Sequence, residues 1–175
     1  MYSSVKYKTG DAKQLADEFF ELLHNRMVLK HIPLENSELL DESRILAVRF
    51  TSTGGQGDTG GIELLYLSEE GIKVLYGNLF CASFNINALL YKLPMLKSVH
   101  NPRSPVPPYP FGGSLELPSG WVHIYMRYLN YFFVREEICE KADSFIREIL
   151  NSDSGLFLIF TAVAWFCGAE LESKN

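Results

Sequence analysis

The hydrophobic residues of this chain change from helical spacing to strict alternation near residue 44, and that change constrains the fold more than any other feature. Before it, Leu15, Phe19, Leu22, Leu23 and Met27 recur at intervals of three and four, joined by Ala12 and Ala16. The opposite face carries Lys13, Asp17, Glu21 and Asn25. Asp11 followed by Gln14 resembles a capping box, an acceptor at the N-cap with an amide three residues on. The spacing predicts an amphipathic helix over residues 11–29.

After Pro33 and an acidic connector over 35–42, the period becomes two. Residues 44–51 read as a strand with Leu46, Val48 and Phe50 on one face. Strands are also expected over 62–67 and 72–80. Between them Ser68, Glu69, Glu70 and Gly71 form a short polar turn ending in glycine, a hairpin signal. The three strands read as an antiparallel meander. Ile86, Leu89, Leu90 and Leu93 fit a short helix over 85–93, which Pro94 ends.

Residues 101–113 hold five prolines in thirteen positions. Proline lacks the backbone donor, so this run is expected as an ordered loop or polyproline-II segment within the domain. Residues 121–128 fit a strand with Val122, Ile124, Met126 and Tyr128 on one face. As a helix the same segment is apolar all round. Aromatic enrichment favours the strand. Residues 136–150 predict a second amphipathic helix, with Ile138, Ala142, Phe145, Ile146 and Ile149 on one stripe. Residues 156–167 are apolar except for Thr161, and at 12 residues they fall short of the roughly 20 of a membrane span. They are expected as a buried central strand re-entering the sheet, or as a core helix, with a polar tail over 170–175. The whole predicts one α+β domain spanning 1–175, an antiparallel sheet of four or five strands with two main amphipathic helices packed against it.

Charge and cysteine content bound the chemistry. With 16 basic and 21 acidic residues the formal net charge is −5, which does not suit non-specific nucleic-acid binding. Cys81, Cys139 and Cys167 form no C-x-x-C pair, and a small odd number of cysteines suits a reducing, cytoplasmic setting. The first eight residues lack the apolar stretch of a signal peptide. No cofactor, metal or membrane contact is expected.

Gly55, Gly57 and Gly60 match G-x-G-x-x-G in letters only. A dinucleotide-binding turn leads from strand to helix, whereas Ile62, Glu63 and Leu64 continue as a strand. A kinase-type glycine loop does lie between strands, but no H-R-D or D-F-G follows. His24 and His31 are seven apart and do not form the i, i+4 pair of a zinc helix. Cys81 and His123 are the candidates for a nucleophile and base, without a supporting local motif.

Three surfaces are therefore candidates for binding. Trp121, His123, Tyr125 and Arg127 form a stripe that mixes stacking planes with a cation and a titratable ring. Tyr109 and Phe111 lie in the proline-rich loop, and Glu35, Glu38, Asp41 and Glu42 form an acidic patch that would steer a basic partner. Together these predict a non-enzymatic protein-binding module, a small cytosolic inhibitor, immunity-type or adaptor protein. The alternatives are a ligand-binding or enzymatic domain with a pocket near the glycine-rich hairpin, or a single-stranded nucleic-acid binder using the Trp121 face.

Overall fold

In a computed structural model of the chain, residues 4–34, 40–51, 61–78, 119–125 and 130–174 are described. They form an α+β fold with three α-helices, a six-stranded sheet and a two-stranded ribbon. The predicted helix over 85–93 and the proline-rich segment over 101–113 lie outside the described residues.

Helix α1 spans Ala12–His24, and the Asp11 carboxylate accepts from the Gln14 N–H at 3.3 Å, as the capping pattern predicts. It buries Leu15, Ala16 and Phe19. The helix is shorter than the periodicity suggests because Arg26 takes a left-handed φ of 61°, which stops helical propagation. Met27, which fits the helical stripe, instead opens β1 (Met27–Leu29). The chain then switches sheets at Lys30 into β2 (His31–Pro33). Strand β1 pairs antiparallel with β8 (Leu171–Ser173), so the expected polar tail contains a strand.

The meander is present as β3 (Ile45–Thr51), β4 (Gly61–Ser68) and β5 (Gly71–Asn78), all antiparallel. Gly71 closes the β4–β5 turn at φ 125°, a conformation that favours glycine. The Ser68 hydroxyl bridges the same turn, donating to the Gly71 carbonyl and accepting from the Glu70 N–H. Of the segment 121–128, the described residues form a strand, β6 (Trp121–Tyr125), and 126–128 lie outside the described residues. It pairs with β7 (Asn130–Arg135), a strand the alternation rule does not find. Tyr131, Phe132, Phe133 and Val134 are all buried, so β7 reads as a continuous apolar run. The sheet order is β2-β5-β4-β3-β7-β6, with β2 parallel to β5. An all-antiparallel sheet of four or five strands is thereby corrected to a mixed sheet with six strands among the described residues. Pro33 sits on the outermost strand, where a missing N–H is tolerated.

Helix α2 (Glu136–Leu150) follows β7 without a loop and buries the predicted stripe. Glu136 and Glu137 in its first turn and Arg147 in its last complement the helix dipole. The apolar segment forms helix α3 (Gly155–Phe166) rather than a strand re-entering the sheet. Its burial explains the ambiguity, since a helix enclosed on nearly all sides carries no amphipathic period. Phe145 of α2 stacks on Phe166 at 5.3 Å, and Trp165 lies 5.7 Å from Phe19 of α1. The three helices therefore share one aromatic cluster against Ala47, Leu65, Val74, Phe132 and Val134 of the sheet. The opposite sheet face is also buried, at Val48, Leu64, Phe133 and His123. No helix among the described residues is long and apolar enough to cross a membrane.

The α2–α3 corner depends on one glycine. A Cβ on Gly155 would lie 1.9 Å from the Ile149 carbonyl oxygen and 2.8 Å from the Leu150 Cα. Alanine is the better helix former by about 1 kcal/mol, but backbone cannot yield as a side chain does. Gly155→Ala is expected to lower stability by about 1–3 kcal/mol in urea denaturation. An unchanged or raised midpoint would show that the corner has slack.

Candidate functional site

A polar cluster forms where β2, β3, β4 and β5 run past the helices on the helix-covered face. The register sets Arg49 of β3 directly opposite Glu63 of β4, and Glu63 opposite Tyr76 of β5. Parallel pairing brings His31 beside Val74, two residues along β5 from Tyr76 and on the same face. Arg49 donates to Glu63 Oε1 through its guanidinium, and His31 Nε2 lies 2.6 Å from Glu63 Oε2. The His31 ring meets Tyr76 edge-on at 5.8 Å. A cleft of about 410 Å³ opens beside these groups, with Leu29, Gly61 and Glu172 completing its walls.

The exposure gradient within the cluster matters. The Glu63 side chain is 13% exposed, whereas those of Arg49 and His31 are 34% and 37% exposed. A recessed carboxylate thus holds the Arg49 guanidinium and the His31 ring side by side. Burial pushes the Glu63 carboxyl up, but the His31 hydrogen bond and the Arg49 charge outweigh it and leave it below the usual range. The hydrogen bond to Glu63 raises His31 above its ordinary value, against the opposing effect of burial. His31 Nδ1 also lies 3.0 Å from the Leu29 carbonyl oxygen, which can only accept. Both ring nitrogens thus face acceptors, the arrangement an imidazolium satisfies. A neutral ring has one N–H and could donate to only one of the two acceptors.

The sequence-derived candidates fall elsewhere. Glu35, Glu38, Cys81, Tyr109, Phe111 and Arg127 lie outside the described residues, as do Gly55, Gly57 and Gly60. The strands flanking the glycine loop are antiparallel neighbours, the hairpin context that the motif reading anticipates. Asp41 Oδ1 caps a 3₁₀ turn (Glu42–Arg44), accepting from the Ser43 N–H at 3.0 Å and hydroxyl at 2.7 Å. Glu42 receives the Arg135 guanidinium at 3.0 Å. Both carboxylates have partners within the fold. Arg135 also donates to the Glu42 and Ile45 carbonyls and stacks 4.0 Å over the Trp121 ring.

Trp121 is 7% exposed and His123 is 5% exposed, so this half of the stripe is covered rather than offered as a platform. Tyr125 ends β6. The face of β6 toward the helices is that of Val122 and Ile124. His123 stacks on Phe133 at 4.7 Å, and neither ring nitrogen has a hydrogen-bond partner among the described residues. Desolvation lowers its pKa to about 4. Cys139 and Cys167 are buried core residues, and burial pushes both thiols up, Cys139 to about 12. Among the described residues no cluster of three or more His, Cys, Asp or Glu side chains could hold a metal ion.

Sequence reasoning misses Arg49, Glu63, His31, Tyr76 and Arg135. One signal was present: Arg49 and Glu63 interrupt two apolar strands at mirrored distances from one loop, which hairpin register turns into a facing pair. No local pattern announces His31, because its partner lies 32 residues away. No protein-family profile matches the chain, and neither a curated protein nor a solved structure matches it significantly.

Two outcomes follow from these environments. Glu63→Gln removes the charge between two cations, and a loss of about 2 kcal/mol is expected after allowing for their solvent exposure. In the same variant an NMR titration should find that His31 has lost its upward shift. His123 behaves in the opposite sense: its folded pKa lies below the unfolded value of about 6.5. Its neutral form therefore contributes stability that disappears as pH falls from about 6.5 to about 4, by on the order of 3 kcal/mol. Chemical denaturation of His123→Leu across that window should show a shallower acid decline than wild type. Equal slopes would place the acid sensitivity elsewhere.

Proposed function

We propose that the chain is a non-enzymatic protein-binding module, of the small inhibitor, immunity or adaptor kind, and that its contact face is the cleft beside Tyr76. The observation that carries this reading is the conjunction of an exposed aromatic ring with a partly exposed guanidinium and imidazole held by Glu63. Tyr76 is 43% exposed, one of two large hydrophobic residues so exposed among those described. Tyrosine and arginine dominate binding hot spots because they offer area and directed donors at low entropic cost. The salt bridges to Glu63 hold Arg49 and His31 in place beforehand, so less ordering remains for association to impose.

The shape of the cleft supports a partner's side chain as occupant. A free small molecule binds well when most of its surface is enclosed, whereas a side chain presented by a partner arrives already positioned. The cleft is open to solvent along one side. A second reading, a small-molecule site, draws on one specific observation. The cleft volume falls within the usual ligand range and one wall is Gly61, where the chain leaves the glycine-rich segment.

Native mass spectrometry of the protein recovered from its own lysate separates the two. A protein-sized adduct, present for wild type and lost in Tyr76→Ser, is the expected result. An adduct of small-molecule mass would favour the second reading. Retention of a protein adduct by Tyr76→Ser would remove the cleft from the contact face.

A further inference from the structure

His31 stands at a corner where the chain passes between two sheets. Leu29 pairs with Leu171 in the β1–β8 ribbon, whereas His31 pairs with Val74 in the six-stranded sheet. Only Lys30 lies between them. The His31 ring reaches back to the Leu29 carbonyl through Nδ1 and across to Glu63 through Nε2. A single side chain thus ties the corner to itself and to β4. Beside the strand pairing and the burial of Leu29 and Leu34, Lys30 N–H donates to the Glu170 carbonyl at 3.1 Å, Leu34 N–H to the Tyr76 carbonyl at 2.9 Å, and Lys30 Nζ meets Glu170 at 3.7 Å in solvent. Strand β2 itself has three residues and one partner strand among those described.

We infer that His31 is a proton-dependent latch, whose imidazolium fastens β2 and the adjoining cleft wall to the sheet and whose deprotonation loosens them. A neutral imidazole keeps one N–H. Either the Leu29 carbonyl or the Glu63 carboxylate would then face a lone pair. The charged and titratable groups around the ring are Glu63 on β4, Arg49 on β3, Tyr76 on β5 and Glu172 on β8, with Lys30 and Glu170 beside the corner. Glu63 favours the cation and Arg49 opposes it, with Glu63 the stronger influence. The sign follows: the folded state holds the proton more tightly than the unfolded chain. The latch is fully closed below about pH 6.5 and opens as pH rises through the raised value of His31. His123 does not confuse this window, since it is already neutral there. The latch deepens the proposed binding function and, where it concerns a partner, rests on it, because His31 and Tyr76 share the cleft wall.

Amide hydrogen exchange tests the latch without any partner. Exchange over residues 27–34 is compared at about pH 6 and about pH 9, corrected for intrinsic chemistry, with α2 as internal reference. Wild type is expected to lose about five- to tenfold in protection at the higher pH, as for one lost charged hydrogen bond. His31→Gln, which can donate to only one of the two acceptors in that geometry, should show reduced protection already at the lower pH and little further change. Wild-type protection indifferent to pH, or a His31→Gln variant that keeps the wild-type dependence, would overturn the latch. The adduct experiment is run at both pH values. Loss of the adduct at the higher pH supports coupling, whereas a working latch without any adduct overturns the binding reading alone.

Discussion

A carboxylate withdrawn from water must find compensating partners, and in this protein Glu63 finds two, the Arg49 guanidinium and the His31 ring. Its position in the middle of the six-stranded sheet makes the demand strict, since an unpaired charge there would cost more than most single contacts supply. Arg49 answers from the neighbouring strand by register alone. His31 answers from the sheet edge, and in doing so fixes where the chain turns between the ribbon and the sheet. The cleft opens beside this pairing, with Tyr76 set opposite Glu63 by the β4–β5 register.

Arg135 plays a comparable part at the other end of the sheet. Its guanidinium joins the end of β7 to the Glu42 turn and the start of β3 while covering Trp121. Between these two polar anchors the sheet is apolar on both faces, and its register rows carry side chains into two separate buried layers. A one-residue slip would exchange those layers and bring Arg49 and Glu63 into the wrong one. The paired charges thereby fix register as well as fastening the site.

The α+β class, the meander and the two amphipathic helices were legible because each rests on local periodicity or a local cap. What was not legible shares a physical cause. Strand β7 and helix α3 are buried nearly all round, so their sequences carry no contrast between faces for a period to reveal. Strands β1 and β2 hold three residues each, too few for any pattern, and both were absorbed into neighbouring segments. The site was hidden for a different reason. Arg49 and Glu63 look like ordinary outward residues of a half-solvated strand until the pairing of β3 with β4 is known, and His31 belongs to the cluster only through β5. Conversely, Trp121 and His123 looked like a surface because alternation tells which residues share a face but not whether that face is covered.

The β1–β8 ribbon joins Met27 to Ser173, segments separated by nearly the whole chain. Such a pairing closes a very long loop, and its entropic cost is recovered only after the helices and the sheet between have formed. The pairing of β1 with β8 therefore needs nearly all of the described chain to be present before it can form. The corner that carries His31 stands between this long-range ribbon and the six-stranded sheet, so it joins the part of the fold with the widest sequence separation to a sheet whose meander is local.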